Sequence, residues 1–250
     1  EIPLRLVGSE MCIRDRNNSN DQVLSDYYAE LSKKENIKII TLNEPFNYSR
    51  FNNIAAGYAA GTQLLFLNND IEAVSENWIQ EMLMYSQRND VGAVGAQLRY
   101  PDKTLQHCYL ITGAGPHKVA IHAGLGLFEG DYGYLDRIGF VRDVSAVTGA
   151  CLMVKKDIFD KIGGFDEKLS VAYNDVDICL KIRNEGYGII YTPYARLIHY
   201  ESGTRGRDSK DSNRRRLDAE AEYIKNKWKD KLIDRYYNAN FSTDREGMLR

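Results

Sequence analysis

The chain lacks long apolar runs, paired cysteines and an excess of charge of either sign. No apolar run approaches the roughly 18–20 residues that a membrane-spanning helix needs. The four cysteines, Cys12, Cys108, Cys151 and Cys179, form no CxxC pair, which indicates reduced thiols of a cytosolic protein rather than a disulfide framework. The 33 basic and 35 acidic residues give a formal net charge of −2, so composition predicts no nucleic-acid partner. With 250 residues, 43% of them hydrophobic, the chain can form a sizeable globular α/β domain.

The first sixteen residues differ in character from the rest of the chain. They contain no signal peptide, since no charged region precedes an apolar one. The stretch "LVGSEMCIRDR" (residues 6–16) resembles the translation of a transposon-based sequencing adapter. We therefore expect residues 1–16 to be non-native and native sequence to start near Asn17. A short native N-terminal segment is the alternative.

Helical and strand-like patterns alternate along the chain. The predicted elements are helices near residues 20–31, 51–59, 75–83, 174–185 and 212–228, strands over residues 37–42, 63–67 and 91–98, a strand and short helix closed by Gly163 and Gly164, and two short strands that end at His199. Ser75 is predicted to cap its helix. The alternation predicts βαβ units and a parallel sheet. Residues 101–142, rich in Gly, His and Tyr, are predicted to form a long, loop-dominated insertion.

An apolar run, residues 64–67, ends in Asn68, Asn69 and Asp70. Ligands of open α/β sheets bind outside the carboxyl ends of the strands, where this cluster falls. A carboxylate there suits Mg²⁺ or Mn²⁺, and the two amides suit a ribose or a phosphate. A simple Asn/Asp turn after a strand is the alternative.

Two later groups could also carry chemistry. Asn174, Asp175 and Asp177 fall at a helix N-terminus, where residues two apart face different ways, so one carboxylate can enter a crevice while the other caps the helix. Simple capping is the alternative. His199 ends an apolar strand and could bind a metal, and Arg205 in a Gly-flanked loop suits a phosphate. The other three histidines show no ligand spacing.

Taken in order, these pieces closely resemble glycosyltransferase family two, the inverting nucleotide-sugar transferases of the GT-A fold, and most densely its rhamnosyltransferase-like, polysaccharide-building members. The resemblance covers nearly everything from Asn17 to about Arg207. Its segments are "NNSND", "FNYSRFNNIAAGYAAGTQLLFLNND", "VTGACLMVKKDIFDKIGGFDE" and "NDVDICLKIRNEGYGIIYTPYARLIHYESGTRG". It implies an α/β fold with a Rossmann-like mixed sheet flanked by helices, whose first strands are missing here.

The resemblance also implies roles for single residues. Asp175 matches the catalytic base, and Asp70, with His199, matches the site of a Mg²⁺ or Mn²⁺ ion that holds the donor diphosphate. The matches on the nucleotide-sugar side are Asn47, Asn53, Asn68, Asn69 and Arg205, and those on the acceptor or supporting side are Gly149, Asn174 and Asp177. Asn68 and Asn174 replace acids of the family pattern. Arg16 stands where the family has an Asp that contacts the nucleobase, so weak donor binding is expected of this chain.

The implied reaction is a single in-line displacement from a nucleotide-diphospho-sugar donor onto a glycan or lipid-linked acceptor. The implied location is cytoplasmic, at the inner face of the cell membrane, with peripheral contact to that membrane. Residues 17–211 would form the catalytic domain, incomplete at its N-terminus, and residues 212–250 a C-terminal helical tail. Two alternatives stay open: a metal-dependent nucleotidyltransferase, and a degenerate transferase domain that serves as a scaffold or glycan-binding module.

Overall fold

The structure, a computed structural model, describes residues 11–16, 22–42, 44–200 and 211–244, and the side chains among them from residue 26 onward. Its helices are α1 (Gln22–Leu31), α2 (Tyr48–Tyr58), α3 (Trp78–Ser86), α4 (Lys156–Lys161), α5 (Asn174–Asn184) and α6 (Asp211–Trp228). Its strands are β1 (Met11–Arg16), β2 (Ile37–Leu42), β3 (Gln63–Leu67), β4 (Ile71–Ala73), β5 (Val91–Arg99), β6 (Leu105–His107), β7 (Leu110–Thr112), β8 (Ala120–His122), β9 (Arg142–Asp143), β10 (Cys151–Lys155) and β11 (Gly188–His199). Short 3₁₀ turns cover Tyr134–Asp136 and Lys229–Leu232.

The central sheet has the strand order β3-β10-β5-β11-β4, with β6 paired to β5 and β9 to β11. Strands β5 and β11 are parallel, whereas β10 is antiparallel to both β3 and β5. Consequently β3, β5 and β11 run in one direction, and their carboxyl ends share one edge of the sheet. The predicted mixed sheet is confirmed. The simpler expectation of a parallel sheet is wrong, because β10 lies between two strands of the opposite direction.

Both faces of this sheet are covered. Successive side chains of a strand point to opposite faces, so a single strand contributes to the packing on each side. In β10, Leu152 and Val154 join a core cluster with α2, α4, α5 and α6, whereas Cys151 and Met153 join a second cluster with α3. The domain is therefore three layers deep around a buried sheet. Helix α6 belongs to the larger cluster through Ala221 and Ile224, both buried. The helical tail thus packs against the domain.

Two local predictions are wrong. Helix α3 begins at Trp78 and Ser75 does not cap it, because the Ser75 hydroxyl accepts the backbone N–H of Arg196 instead, at 2.9 Å. The two short strands before His199 are one strand, β11, whose register with β5 shifts between Tyr191 and Arg196. Pro193 lies within that shift, where a residue without an N–H is tolerated.

Residues 101–142 are more ordered than the loop-dominated prediction implied. They contain three short strands, and β7 pairs with β8 as an antiparallel hairpin. Ile111, Val119 and Ala123 within this stretch are fully buried. The segment is therefore part of the core, although much of its backbone lies in turns.

The N-terminal strand β1 pairs with β2 in parallel, Met11 opposite Ile37. Its residues fall in the stretch interpreted as adapter-derived, and that interpretation stays a prediction. Residues 1–10 lie outside the described part of the chain. In the described ranges, no helix is long and apolar enough to cross a membrane.

Candidate active site

The candidate site lies at the edge of the sheet where β3, β5 and β11 end. Asn68 follows β3, His199 ends β11, and Asp70 precedes β4, whose Ile71 pairs with His199. The antiparallel strand β10 starts at this edge directly after Gly149 and Ala150, and the Ala150 carbonyl accepts the Asn68 N–H at 2.9 Å. The topology thus gathers segments that are up to about 130 residues apart in sequence, as the strand-end argument predicted.

Asp70 and His199 form a direct pair at this edge. Nε2 of His199 lies 3.1 Å from Oδ1 of Asp70 and 3.4 Å from Nδ2 of Asn68. Nδ1 of His199 lies 2.7 Å from Oε1 of Gln106, so Nδ1–H donates to that amide oxygen. A neutral imidazole with its proton on Nδ1 has its lone pair on Nε2, beside the Asp70 carboxylate. The hydrogen bond to Gln106 therefore orients the ring as a ligand.

This pair fits a divalent cation. Two ligands at right angles on an octahedral ion, each about 2.1 Å from it, lie about 3.0 Å apart, close to the 3.1 Å between Asp70 and His199. Carboxylate oxygen suits Mg²⁺ or Mn²⁺, and imidazole suits the transition metals. No group of three His, Cys, Asp or Glu side chains within the described ranges is arranged as a metal site. The other ligands would therefore be water and substrate phosphate, as is usual for Mg²⁺.

Asp175 lies on the other side of the same edge, in the first turn of α5. Its Oδ2 accepts the Gly149 N–H at 3.2 Å, and its Oδ1 accepts the Val176 N–H at 2.8 Å. Burial raises the pKa of Asp175, and the Gly149 N–H, His122, the Val176 N–H and the Thr148 hydroxyl lower it by smaller amounts. The net shift is upward, so the anion is a stronger proton acceptor than an ordinary carboxylate.

The segment from Thr148 to Ala150 joins the two halves of the site. Thr148 and Gly149 bind Asp175, and Ala150 binds the backbone of Asn68. Gly149 cannot be larger, because a Cβ there would lie 2.9 Å from the hydroxyl of Tyr48, which donates to the Gly149 carbonyl at 2.6 Å. Gly149, which was predicted to support the site, thus contacts Asp175 directly through its backbone N–H.

The loop before Asp175 is held by α6. Glu220, 5% exposed, accepts the backbone N–H groups of residues 170–172 at 2.7–3.3 Å. Tyr173 follows in the left-handed region with φ of 58°, a conformation that costs a bulky residue energy. Asn174, buried, donates to the Val171 carbonyl at 3.0 Å. The turn before Asp175 is therefore strained at Tyr173 and held by hydrogen bonds that involve Glu220 and Asn174.

Asp177 faces α6 and not the sheet edge. Its Oδ1 accepts Trp228 Nε1–H at 2.7 Å and lies 2.7 Å from Nζ of Lys227, and its side chain is fully buried. Nζ of Lys181 lies 3.6 Å from Oδ2. As expected for residues two apart on a helix, Asp175 and Asp177 point to different surroundings. The contacts assign Asp177 to the attachment of α6.

The remaining predicted site residues lie elsewhere. Asn47 caps α2 by accepting the Arg50 N–H at 3.0 Å, and it donates to the Glu167 carbonyl at 2.8 Å. The Asn53 amide binds both backbone groups of Phe165. Both therefore hold the loop after α4, and a nucleotide-side role for them stays a prediction. Asn69 is exposed beside Asp70, and Arg205 lies outside the described residues.

Sequence reasoning missed three residues of this site, which are Gln106, His107 and His122. Gln106 binds His199 on the metal side, whereas Nε2 of the adjacent His107 accepts the Thr148 N–H at 3.1 Å on the base side. Nδ1 of His107 lies 2.9 Å from Nδ1 of His122. The signal was two consecutive polar residues within a short apolar stretch, but a three-residue strand is too short for such a pattern to stand out.

Comparisons with known proteins identify the family of this chain. Residues 10–163 match the family described as Glycosyl transferase family 2. An uncharacterized protein, y4gI of Sinorhizobium fredii, is 39% identical over 216 residues, which cover 85% of this chain and 23% of that protein. The O-antigen biosynthesis protein RfbC of Myxococcus xanthus is 36% identical over 197 residues, which cover 76% of this chain and 15% of that protein. The chain thus spans less than a quarter of the length of these relatives.

Among solved structures, GalNAc-T7 with UDP, GalNAc and Mn²⁺ superposes with a TM-score of 0.65 and 15% identity, over 89% of this chain and 43% of that one. At this identity the likeness concerns the fold, which is GT-A. The family match covers more than half of the chain and includes the strands β3 and β10. This chain therefore belongs to glycosyl transferase family 2.

Proposed function

We propose that the chain catalyses inverting transfer of a sugar from a nucleotide-diphosphate sugar to a hydroxyl of a glycan or lipid-linked acceptor. Asp175 is the general base, and Asp70 and His199 hold a divalent cation at the donor diphosphate. The single observation that carries the proposal is the shared sheet edge, where the Asp70–His199 pair and Asp175 are joined through residues 148–150. This shared edge supports the proposal that a cation held by Asp70 and His199 and a base at Asp175 act on one substrate.

The chemistry follows from the residues. A bound cation neutralises charge that develops on the leaving nucleoside diphosphate. Asp175 takes the proton of the acceptor hydroxyl as the new glycosidic bond forms and the bond to the diphosphate breaks. A single carboxylate base is what an inverting displacement requires, since no covalent intermediate forms. The raised pKa of Asp175 increases its basicity, and its bonds to Gly149 and Thr148 fix its orientation.

The donor and acceptor classes rest on neighbours and relatives. The structural neighbour GalNAc-T7 was solved with UDP, GalNAc and Mn²⁺, which supports a nucleotide-sugar donor and a divalent metal. RfbC is named for O-antigen biosynthesis, which supports a growing polysaccharide as acceptor. A lipid-linked acceptor would bring the protein to the cytoplasmic face of a membrane as a peripheral partner. Co-sedimentation with anionic lipid vesicles tests that last step.

The experiment compares Asp175→Asn with Asp160→Asn, a carboxylate on α4 that is 57% exposed. Transfer is measured as nucleoside diphosphate released from UDP-, dTDP- and GDP-sugars with Mn²⁺ and a glycan acceptor. We expect Asp175→Asn to lose roughly 10²–10⁴-fold in kcat, the size of a general-base contribution, and Asp160→Asn to match the parent protein. Unchanged transfer by Asp175→Asn would remove this residue as the base.

The cation site has its own test. Asp70→Asn should weaken Mn²⁺ binding measured by electron paramagnetic resonance, while Asp160→Asn leaves it unchanged. Equal Mn²⁺ affinity of the Asp70→Asn variant and the parent protein would contradict the assignment. The scaffold alternative, kept open by Asn68 and Asn174 in place of acids, predicts glycan binding without transfer in every variant.

A further inference from the structure

We propose that Glu220 of α6 is a positioning residue for the base Asp175. Its carboxylate holds the backbone N–H groups of residues 170–172, and this keeps Tyr173 in the left-handed conformation from which α5 starts. This inference rests on the proposed function and deepens it, because it assigns to the helical tail a part in placing the base. Glu220 acts through this turn and takes no proton itself.

The Glu220 carboxylate lies within a ring of hydrogen-bond donors. Its Oε1 accepts the Ser170 N–H at 2.9 Å, the Ser170 hydroxyl at 2.7 Å and the Val171 N–H at 3.3 Å. Its Oε2 accepts the Ala172 N–H at 2.7 Å. Successive backbone N–H groups that converge in this way form a concave site for an anion, and bonds to a charged acceptor are roughly twice as strong as neutral ones. Because Glu220 is only 5% exposed, its carboxylate exchanges contact with water for these four bonds, and the turn and α6 hold each other.

The turn needs such a hold because of Tyr173. Its φ of 58° and ψ of 8° lie in the left-handed region, which a bulky residue occupies only at a cost in energy. Helix α5 begins at the next residue, and the Tyr173 carbonyl already accepts the Asp177 N–H at 2.9 Å. Strained conformations of this kind persist only where the surroundings impose them, and they concentrate at functional sites. Without the Glu220 carboxylate, we expect Tyr173 to relax to a negative φ and the first turn of α5 to shift.

A shift of that first turn reaches Asp175 directly. Asp175 comes two residues after Tyr173, and its Oδ2 is 3.2 Å from the Gly149 N–H nitrogen, at the long end of the hydrogen-bond range, so a small displacement breaks this bond. The turn is also tied to Gly149 from its other side. The Ser170 carbonyl accepts the Tyr48 N–H at 2.7 Å, and the Tyr48 hydroxyl donates to the Gly149 carbonyl at 2.6 Å. The turn thus supports both Asp175 and the hydrogen-bond partner of Asp175.

The contacts of α6 with the region of the base therefore serve two purposes. Lys227 and Trp228 bind the Asp177 side chain, which faces α6, and they attach the helix. Glu220 binds the turn that leads into α5, and it sets the position of the residues that follow. Loss of the bonds to Asp177 should change stability, whereas loss of the bonds to Glu220 should change catalysis as well.

The first test compares Glu220→Gln with Glu222→Gln in the transfer assay. Glutamine has nearly the shape of glutamate, but it has one acceptor oxygen, no charge and an amide group that would face a backbone N–H. We expect Glu220→Gln to lose roughly 10–10²-fold in kcat, the size expected of a displaced catalytic group, with the donor KM unchanged. The assay is run at a temperature where circular dichroism shows the variant folded. Glu222→Gln is the same substitution on the same helix, at a side chain that is 62% exposed, and it should match the parent protein.

The second test asks whether Glu220 holds the turn against the strain at Tyr173. Asparagine adopts the left-handed region more readily than tyrosine. In a Tyr173→Asn background, Glu220→Gln should therefore cost a smaller factor in kcat than it costs in the parent protein. Hydrogen exchange followed by mass spectrometry should also be faster over residues 170–172 in Glu220→Gln than in Glu222→Gln, because these N–H groups lose their charged acceptor.

Ser170→Ala carries the test if Glu220→Gln does not fold. It removes the hydroxyl bond to Glu220 but leaves the carboxylate and the backbone bonds in place. We expect this variant to fold and to lose kcat by a smaller factor than Glu220→Gln, again with the donor KM unchanged.

The outcomes separate the two proposals. Full activity of Asp175→Asn would refute the proposed function. Loss of activity in Asp175→Asn together with full kcat in folded Glu220→Gln, or in Ser170→Ala where Glu220→Gln is unfolded, would refute only the role of Glu220. An equal factor lost through Glu220→Gln in the parent and Tyr173→Asn backgrounds would refute that role as well.

Discussion

Replacing Asp177 with Asn should destabilise the protein by about 3 kcal/mol, because removing one partner of a buried charge pair typically costs about 3–5 kcal/mol. The Asp177 carboxylate is fully buried. Its Oδ1 accepts the Trp228 Nε1–H at 2.7 Å and lies 2.7 Å from Nζ of Lys227, and its Oδ2 lies 3.6 Å from Nζ of Lys181. Asparagine keeps one acceptor oxygen but leaves the two ammonium groups without this negative charge. Lys227 retains Asp166 at 2.6 Å, which puts the expected cost at the low end of the range.

The loss is measured by urea unfolding followed by circular dichroism. For a chain of this size we expect Tm to fall by roughly 6–12 °C as well. Asp90→Asn serves as control, because that carboxylate is 68% exposed and pairs only on the surface with Arg88, so no measurable change is expected. A stability change for Asp177→Asn equal to that of the control would refute the account of α6 attachment.

The same variant separates structure from chemistry. Because the Asp177 carboxylate faces α6, Asp177→Asn should keep its kcat at a temperature where the protein stays folded. A loss as large as that of Asp175→Asn under those conditions would restore Asp177 as a second acid of the reaction.

Further predictions concern the pKa of Asp175, the packing around it and the stability of the fold at acidic pH. Thr148→Val removes a hydroxyl that favours the Asp175 anion, so the pKa rises further above its ordinary value, and the acidic limb of the kcat/KM profile should move up by about one pH unit. Gly149→Ala places a Cβ 2.9 Å from a buried tyrosine hydroxyl and should lower both Tm and kcat, measured by calorimetry and transfer assay. Burial raises the pKa of Asp166, but the Lys227 ammonium, the Tyr223 hydroxyl and the Lys168 N–H together outweigh burial and lower this pKa to about 2, so this carboxylate contributes stability at pH values above its ordinary pKa of 3.8. That stability should be lost as pH falls from 3.8 to about 2, and Asp166→Asn should flatten the fall in acid-unfolding curves.

The sequence predicts the strands and the site best where a pattern is local. The bounds of β2 and β3 agree with the predicted 37–42 and 63–67, because a β-branched or apolar run ends there in polar residues. The placement of Asp70 and His199 at one edge follows from the rule for strand ends. Asp175 shares that edge because α5 starts beside the segment that leads into β10.

What the sequence does not predict depends on pairings between distant segments. Ser75 has the right chemistry for a cap, but the arrival of β11 offers its hydroxyl the Arg196 backbone instead. His107 and His122 are fifteen positions apart with no ligand spacing, and only the hairpin of β7 and β8 brings them into contact. The helical period predicts that the two acids of α5 point in different directions, but the surroundings of Asp177 depend on the packing of α6, which the sequence does not predict.

The two anchors of α6, Glu220 and Lys227, are seven residues apart, about two helical turns, and so they leave the helix on nearly the same side. One inserted residue between them would rotate one anchor by about 100° relative to the other. Either the amides of residues 170–172 or the carboxylate of Asp177 would then lose its partner. An inserted residue would also lengthen the helix by about 1.5 Å, so the spacing between the two anchors is constrained both in rotation and in length, and we expect any insertion or deletion between them to lower the stability of the fold.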